Sequence, residues 1–418
     1  MSTETRTVPS SPTGGAHVHP TLSSALVLLL AFCCGAVVAN LYYSQPIIAV
    51  IAPSIGLSEE HASLIVSLTQ LGYAVGLLLL VPLADLFENK KLVIGFTLAA
   101  GLFLAIAGFA QSAPIFLVAS LCVGLSSVAV QMLVPLAAHM APEKNRGQVV
   151  GNIMSGLLLG ILLSRPISSI LSEVLGWRGV FLSASVLMIV IAVLVTVLMP
   201  ARIPNHHISY TRLIKSVFTL AKTFRVLRQR SLYQGLLFAT FSMFWTIVPL
   251  ELVREHGFTQ SGVALFALVG AVGAIAAPLA GRLADAGHTR SGTLVALILA
   301  PLATLIGLIP GLGFAGLVAT AILLDFAVQL NMVLGQRAVY ELDPHSRARL
   351  NAVYMTSIFV GGTLGSLVVS PTYEAFGWGG VTLAMACVSG LALLMLGLNS
   401  TRNGVNDRAS SASKSLVG

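Results

Sequence analysis

Apolar runs separated by short polar connections recur twelve times along the chain. They cover roughly 22–51, 61–83, 92–111, 115–139, 149–172, 178–199, 232–253, 260–281, 291–311, 314–335, 350–371 and 379–398. Most approach or exceed the ~20 residues a helix needs to cross ~30 Å of hydrocarbon. The pattern therefore predicts an all-α membrane protein with twelve transmembrane helices. The longest internal polar connection falls between the sixth and seventh runs, which divides the chain into a tail (1–20), an N-terminal half (21–199), a linker (200–231), a C-terminal half (232–399) and a second tail (400–418). Both tails are rich in small and polar residues and are expected to be disordered.

The two halves share a pattern at an offset of 201 residues. Gly176-Trp177-Arg178-Gly179-Val180 recurs as Gly377-Trp378-Gly379-Gly380-Val381, Arg146 falls on Arg347, and Gly160 on Gly361. Leu83-Ala84-Asp85 has its counterpart in Leu283-Ala284-Asp285, shifted by 200. Two copies of one six-helix unit, entering the membrane in the same sense, predict pseudo-symmetric halves around an axis along the membrane normal. Positions where the copies differ are then the places to look for function.

Composition agrees with a lipid environment. With 56% hydrophobic and 9% charged residues, the chain has too little polar surface to cover a soluble globule. The net charge of +8 invites a nucleic-acid reading, but its distribution excludes one: 20 of the 23 Lys and Arg residues fall in alternate connections and the tails. Only Arg178 and Arg254 lie in the opposite connections, and Arg165 lies within a span. By the positive-inside rule this asymmetry predicts cytoplasmic termini. The first run is too long for a signal-peptide core and lacks a short basic lead. Cys33, Cys34, Cys122 and Cys387 all fall in spans, so no disulfide framework is expected.

In the linker, Arg212, Lys215, Lys222, Arg225, Arg228 and Arg230 interleave with Leu213, Val217, Phe218, Leu220, Phe224 and Leu227. This predicts one or two amphipathic helices on the cytoplasmic membrane surface, with a regulatory or partner-binding role as the alternative. Gly156 with Gly160, and Gly361, Gly362 and Gly365, form small-residue rows that let helices approach closely in lipid.

The turn after the second run has Asp85, Lys90 and Lys91; its copy after the eighth has Gly281, Asp285, Gly287 and Arg290. These turns resemble the signature of the major facilitator superfamily, and the resemblance spans residues 22–398. In the first copy Val81, Leu86 and Glu88 replace the expected Gly, Arg and Gly, whereas the second copy is better kept. Ala39-Asn40-Leu41-Tyr42-Tyr43-Ser44-Gln45-Pro46, Phe241 to Thr246 and Leu350 to Thr356 are similar to a bacterial subgroup related to drug and metabolite exporters. The fifth span carries Ser164-Arg165-Pro166 where antiporters end a glycine-rich stretch in Gly-Pro, and the fourth span, 116–138, has no basic residue. The resemblance implies that Asp85, Lys90, Arg146, Gly281, Asp285, Arg290 and Arg347 belong to gating turns, against the plainer reading of solvated turns. It also implies that spans 1, 4, 7 and 10 line a cavity.

Only two ionisable residues sit well inside a span: Arg165 in the fifth and Asp325 in the tenth. Each is costly against lipid and is expected to face the interior. Asp325 is 12 residues from both Gly313 and Arg337, near the midplane. The offset maps Arg165 onto Ser366 and Asp325 onto Gly124, so neither charge belongs to the shared scaffold. Two readings stand: an ion pair that fixes packing, or a site in which Asp325 takes a proton or a cationic group while Arg165 tunes it or binds an anion. On helical spacing, Asp325, Gln329, Met332 and Gln336 share a face. Further wall candidates are Asn40, Tyr43 and Ser44 on one face of span 1, with Tyr42 and Gln45 turned aside, Gln131, and Ser242, Trp245 and Thr246; interhelical hydrogen bonding is the alternative role for each.

No Walker loop, zinc motif or catalytic triad is present, so neither an enzyme nor an ATP-driven pump is expected, and no cofactor or metal. The expectation is a monomeric secondary transporter in a bacterial inner membrane, exporting a small organic compound in exchange for protons. Proton symport of a sugar, nucleoside or organic acid is the alternative within that class. A membrane receptor or channel is the alternative outside it.

Overall fold

The computed structural model describes residues 24–141, 145–201, 209–309, 311–343 and 346–415. The tail 1–20 and the side chain of Arg146 fall outside that description. Among the described residues every regular element is helical, as lipid demands: without water, each backbone N–H and C=O must be paired within its own segment. The helices are α1 (Ser24–Ala39), α2 (Ile48–Ser54), α3 (Leu64–Leu79), α4 (Asn89–Phe109), α5 (Ala113–Ser126), α6 (Ala129–Met140), α7 (Arg146–Leu198), α8 (Tyr210–Thr223), α9 (Arg225–Arg254), α10 (Gln260–Ala267), α11 (Ala276–Asp285), α12 (Thr289–Ile306), α13 (Gly313–Tyr340) and α14 (Arg347–Ser415).

Among the described residues, 9 helical stretches are long and apolar enough to cross a membrane. Two of them, Gly147–Leu198 and Arg347–Leu398, contain 52 residues each. At 1.5 Å per residue that is about 78 Å, far more than one crossing needs. Each is broken at one glycine with positive φ, Gly176 (φ 73°) and Gly377 (φ 63°). These are the two repeated Gly-Trp turns. A side chain is strained in that backbone region, which explains glycine at both. Beyond Leu398 the backbone of α14 stays helical to Ser415, where the sequence suggested an unstructured tail. A helix extending from a formed one needs no new nucleus, and no proline interrupts this stretch.

Close packing rests on small residues. A Cβ on Gly160 would run into the backbone of Gly35, joining α1 to α7, and one on Gly365 into Ala239, joining α9 to α14. The hydroxyls of Ser67, Thr69, Ser126 and Ser127 donate to carbonyls four residues back, which satisfies them inside apolar helices. In the linker α8 buries Leu213 and Val217. Tyr210 donates to the Leu79 carbonyl at 2.8 Å and Arg349 to Ser216 at 3.1 Å. The apolar stripe expected to lie on lipid is thus turned partly onto the bundle, and the second basic stretch begins α9 itself.

Candidate functional site

A cavity of about 900 Å³ lies between the two halves of the chain. Arg165 from α7 and Asp325 from α13 both line it, and they are only 3% and 9% exposed. The two charges do not form an ion pair. Trp245 on α9 mediates between them instead: its Nε1 donates to Asp325 Oδ1 at 2.8 Å, while the Arg165 guanidinium carbon sits 4.3 Å from the indole centroid. A charge-assisted hydrogen bond contributes ~1.5–3 kcal/mol, and a desolvated cation–π contact about 2 kcal/mol. The direct pairing that the sequence permitted is therefore replaced by an aromatic bridge. Phe244 and Phe266 pack on the same indole, with ring centroids 5.4 and 6.0 Å away, and fix its orientation.

Arg165 is held by residues from the first span. Gln45 accepts from Nε at 3.0 Å, and the rings of Tyr42 and Phe241 each lie 5.3 Å from the guanidinium carbon. Tyr42 also lines the cavity, whereas Asn40, Tyr43 and Ser44 are buried away from it. That inverts the face expected of span 1. The reason is local: α1 ends at Ala39, and the chain passes through turns and a 3₁₀ segment at Gln45–Ile47 before α2 begins. Helical spacing does not carry across such a break.

Gln131, Gln329 and Gln336 line the cavity, and Tyr73 joins them by accepting from Gln131 at 3.1 Å. Gln336 donates to Asn351 at 2.9 Å. Ser242, Trp245 and Thr246 lie behind the wall. Ser242 instead receives a hydrogen bond from Gln70 at 2.9 Å, a link between the halves.

Glycine makes room for Asp325. A Cβ on Gly270 would lie 2.6 Å from Asp325 Oδ2 and 2.7 Å from Trp245 Cζ2; one on Gly273 would lie 2.5 Å from Asp325 Cβ and 2.9 Å from its backbone carbon. At the 201-residue offset these positions correspond to Thr69 and Gly72. Gly124, the counterpart of Asp325, is pressed there against the backbone of Thr69. The N-terminal half closes this crossing with glycine. The C-terminal half opens a niche in it and fills the niche with a carboxylate. Gly270 and Gly273 were not singled out in the sequence, although the offset pairs Gly273 with Gly72.

The cavity lining extends from these charges to Asp85, Asn89 and Arg349 at one end of the bundle, with Val217 of α8 beside them. Asp285 pairs with Arg337 at that end, and Arg337 also donates to the Gly281 carbonyl at 3.5 Å. Arg347 donates to the Tyr340 carbonyl at 3.1 Å. Lys90 and Arg290 stand in the first turns of α4 and α12. At the opposite end the halves are joined. Ser67 donates to Ser366 at 2.9 Å, the Ser63 N–H to Ser370 at 3.2 Å, and Ser261 bonds Glu173. Arg254 bridges Glu59 of the first half and Glu374 of the second, the latter at 2.9 Å.

Since no direct pair exists, reversing both charges (Arg165→Asp with Asp325→Arg) is expected to give no more folded protein than the worse single variant. Recovery of monodisperse protein by size exclusion checks this, and rescue by the double variant would show that a direct pair forms.

A sequence profile of the Major Facilitator Superfamily matches residues 27–312 and 230–417, together covering both halves. The chain belongs to the major facilitator superfamily. It is an integral, multi-pass membrane protein of a transporter family, not an enzyme. It is 40% identical to "Uncharacterized transporter YgaY" of Escherichia coli O157:H7 over 378 residues, 90% of this chain and 95% of that one. It is 29% identical to "Probable transporter SCO4007" of Streptomyces coelicolor over 375 residues, 89% of this chain and 86% of that one. The superfamily fold recurs in a bacterial homologue of the human lysosomal transporter Spinster, inward-facing and unoccupied (TM-score 0.69, 16% identity, 91% and 94% of the chains). It recurs in the nucleoside transporter NupG (TM-score 0.71, 14% identity, 89% and 98%).

Proposed function

We propose that this superfamily member exports a small organic compound in exchange for protons, by alternating access. The observation that carries the reading is Asp325, a buried carboxylate on the wall of a cavity whose far end is closed by contacts between the halves. A carboxylate open to one side exchanges protons with that side alone until the halves rock. Exchange follows when proton and substrate contend for it. Splitting the two 52-residue stretches at Gly176 and Gly377, and counting the broken α1–α2 segment as one crossing, supports a reading of twelve crossings, six in each half. Arg337, Arg347 and Arg349 cluster at the end the cavity reaches, so the positive-inside rule makes that end cytoplasmic and this state inward-facing. The wall, with glutamines and aromatic rings among apolar side chains, suits an amphiphile. The homologue in Escherichia coli supports a bacterial inner membrane, and the site is complete within one chain, which supports a monomer.

Proteoliposomes holding an imposed pH gradient and a panel of labelled solutes test the coupling. Exchange predicts accumulation in acid-loaded liposomes as protons leave. Accumulation only in alkaline-loaded liposomes would establish symport instead, and equilibration indifferent to pH would remove coupling altogether.

The Arg254 bridge is then an outward latch. Its carboxylate partners Glu374 and Glu59 are 31% and 65% exposed, so the bridge is worth about 1 kcal/mol at most. Arg254→Gln is accordingly expected to leave stability nearly unchanged while raising the outward-open population by up to about fivefold. Spin labels at Glu60 and Ala375 measure it by pulsed EPR; an unchanged distance distribution would show that the bridge does not bias the two states.

A further inference from the structure

One terminal nitrogen of Arg165 is buried without a hydrogen-bond partner. Nε and the faces of the guanidinium are already engaged. Gln45 takes Nε at 3.0 Å, and the rings of Tyr42, Phe241 and Trp245 cover it at 5.3, 5.3 and 4.3 Å. A further partner has to arrive in the guanidinium plane, at the terminal nitrogens. Asp325 is not that partner: its Oδ1 accepts from Trp245, and among the described residues no ion pair reaches Arg165. A planar acceptor with two oxygens fits such an edge, since arginine binds a carboxylate through two parallel N–H donors.

The charge balance of the site narrows the ligand further. Arg165 and Asp325 give the site one positive and one negative charge, both largely removed from water. A bare carboxylate on Arg165 would leave an excess negative charge in low dielectric unless Asp325 took a proton with it. A bare cation at Asp325 would leave Arg165 unmet. We propose that the ligand is an amphiphilic zwitterion, with its carboxylate on the terminal nitrogens of Arg165, its ammonium at Asp325, and its apolar body along Tyr42, Phe241 and Met332. All these residues line the cavity. The ammonium subsite rests on the exchange reading above: ammonium and proton contend for the same carboxylate, so binding one expels the other. The carboxylate subsite rests on the unpartnered nitrogen alone. Ligand charge and direction of coupling are thereby tied, because a simple anion would recruit the proton and be cotransported with it.

The test is calorimetric titration of the whole chain in lipid nanodiscs with 6-aminohexanoate and phenylalanine. Each is compared with its amide, which lacks the carboxylate, and its N-acetyl form, which lacks the ammonium. At least one parent is expected to bind roughly tenfold or more tightly than both of its derivatives. Arg165→Gln should erase the preference over the amide, and Asp325→Asn the preference over the N-acetyl form. Arg165→Lys, which keeps the charge but loses the two-pronged edge, should retain the fold and weaken that preference. Amides that bind as tightly as the parents, or no binding of either zwitterion, would overturn the proposal. No gradient is present in this measurement, so it fails separately from the coupling. Zwitterion preference without pH-driven transport overturns exchange alone, whereas pH-driven transport without zwitterion preference overturns the ligand class alone.

Discussion

Asp325→Asn is expected to abolish accumulation driven by a pH gradient while leaving counterflow of labelled against unlabelled solute measurable. The amide preserves the shape of the side chain, and its oxygen can still accept from Trp245 Nε1, so the bridge to the α9 indole survives. What is lost is the ability to carry a proton. For one-for-one exchange each pH unit sustains about tenfold accumulation, so a gradient of two units drives roughly 100-fold in the native protein and none in the variant. Persistence of pH-driven accumulation in this variant would move the coupling proton to another group.

Gly273→Val is expected to damage both stability and transport, through the backbone. The added Cβ would meet the Cβ of Asp325 at 2.5 Å and its backbone carbon at 2.9 Å, and neither can swing aside as a flexible side chain would. The α13 crossing has to open, at a cost of about 1–3 kcal/mol or more, and the carboxylate is carried away from Trp245. Gly390→Val supplies the control, because a Cβ there meets nothing within 4 Å. Thermal unfolding followed by size exclusion, together with the transport assay, separates the two variants. Native-like behaviour of Gly273→Val would show that the niche is slack and that Asp325 does not depend on it.

The fold was legible because lipid leaves the backbone little choice beyond helices, and because duplication wrote the same turns twice. The Gly-Trp repeat coincides with the breaks at Gly176 and Gly377, each requiring positive φ. Arg165 and Asp325 stood out because a charge within an apolar run is costly anywhere but on an interior wall. Their relation was not legible. Nothing in the spacing says that Trp245 would stand between them, since contacts among α7, α9 and α13 depend on how the helices cross. In the first span helical periodicity does not reach Asn40–Ser44, because the helix has already ended at Ala39: Tyr42 lines the cavity, Gln45 is buried against Arg165, and Asn40, Tyr43 and Ser44 lie off the wall. Arg254 stood out only by lying on the sparsely basic side; its bridge from Glu59 to Glu374 joins residues far apart in the chain.

The offset between the copies proved most informative where it failed. Asp325 replaces Gly124, and its neighbour Gly270 replaces Thr69, so the carboxylate and the space it occupies differ from the first copy together. That joint departure from the shared scaffold is the physical basis for the proposal that Asp325 on α13, and not the corresponding crossing of α3 and α5, carries the coupling.

Proton release on solute binding reports directly on the role of Asp325. Purified protein in weakly buffered solution, at a pH where Asp325 is protonated, is mixed with a solute that it transports, and the pH change is recorded. Release of up to one proton per bound solute is expected from the native chain and none from Asp325→Asn. Proton uptake on binding, or equal release from both proteins, would contradict it.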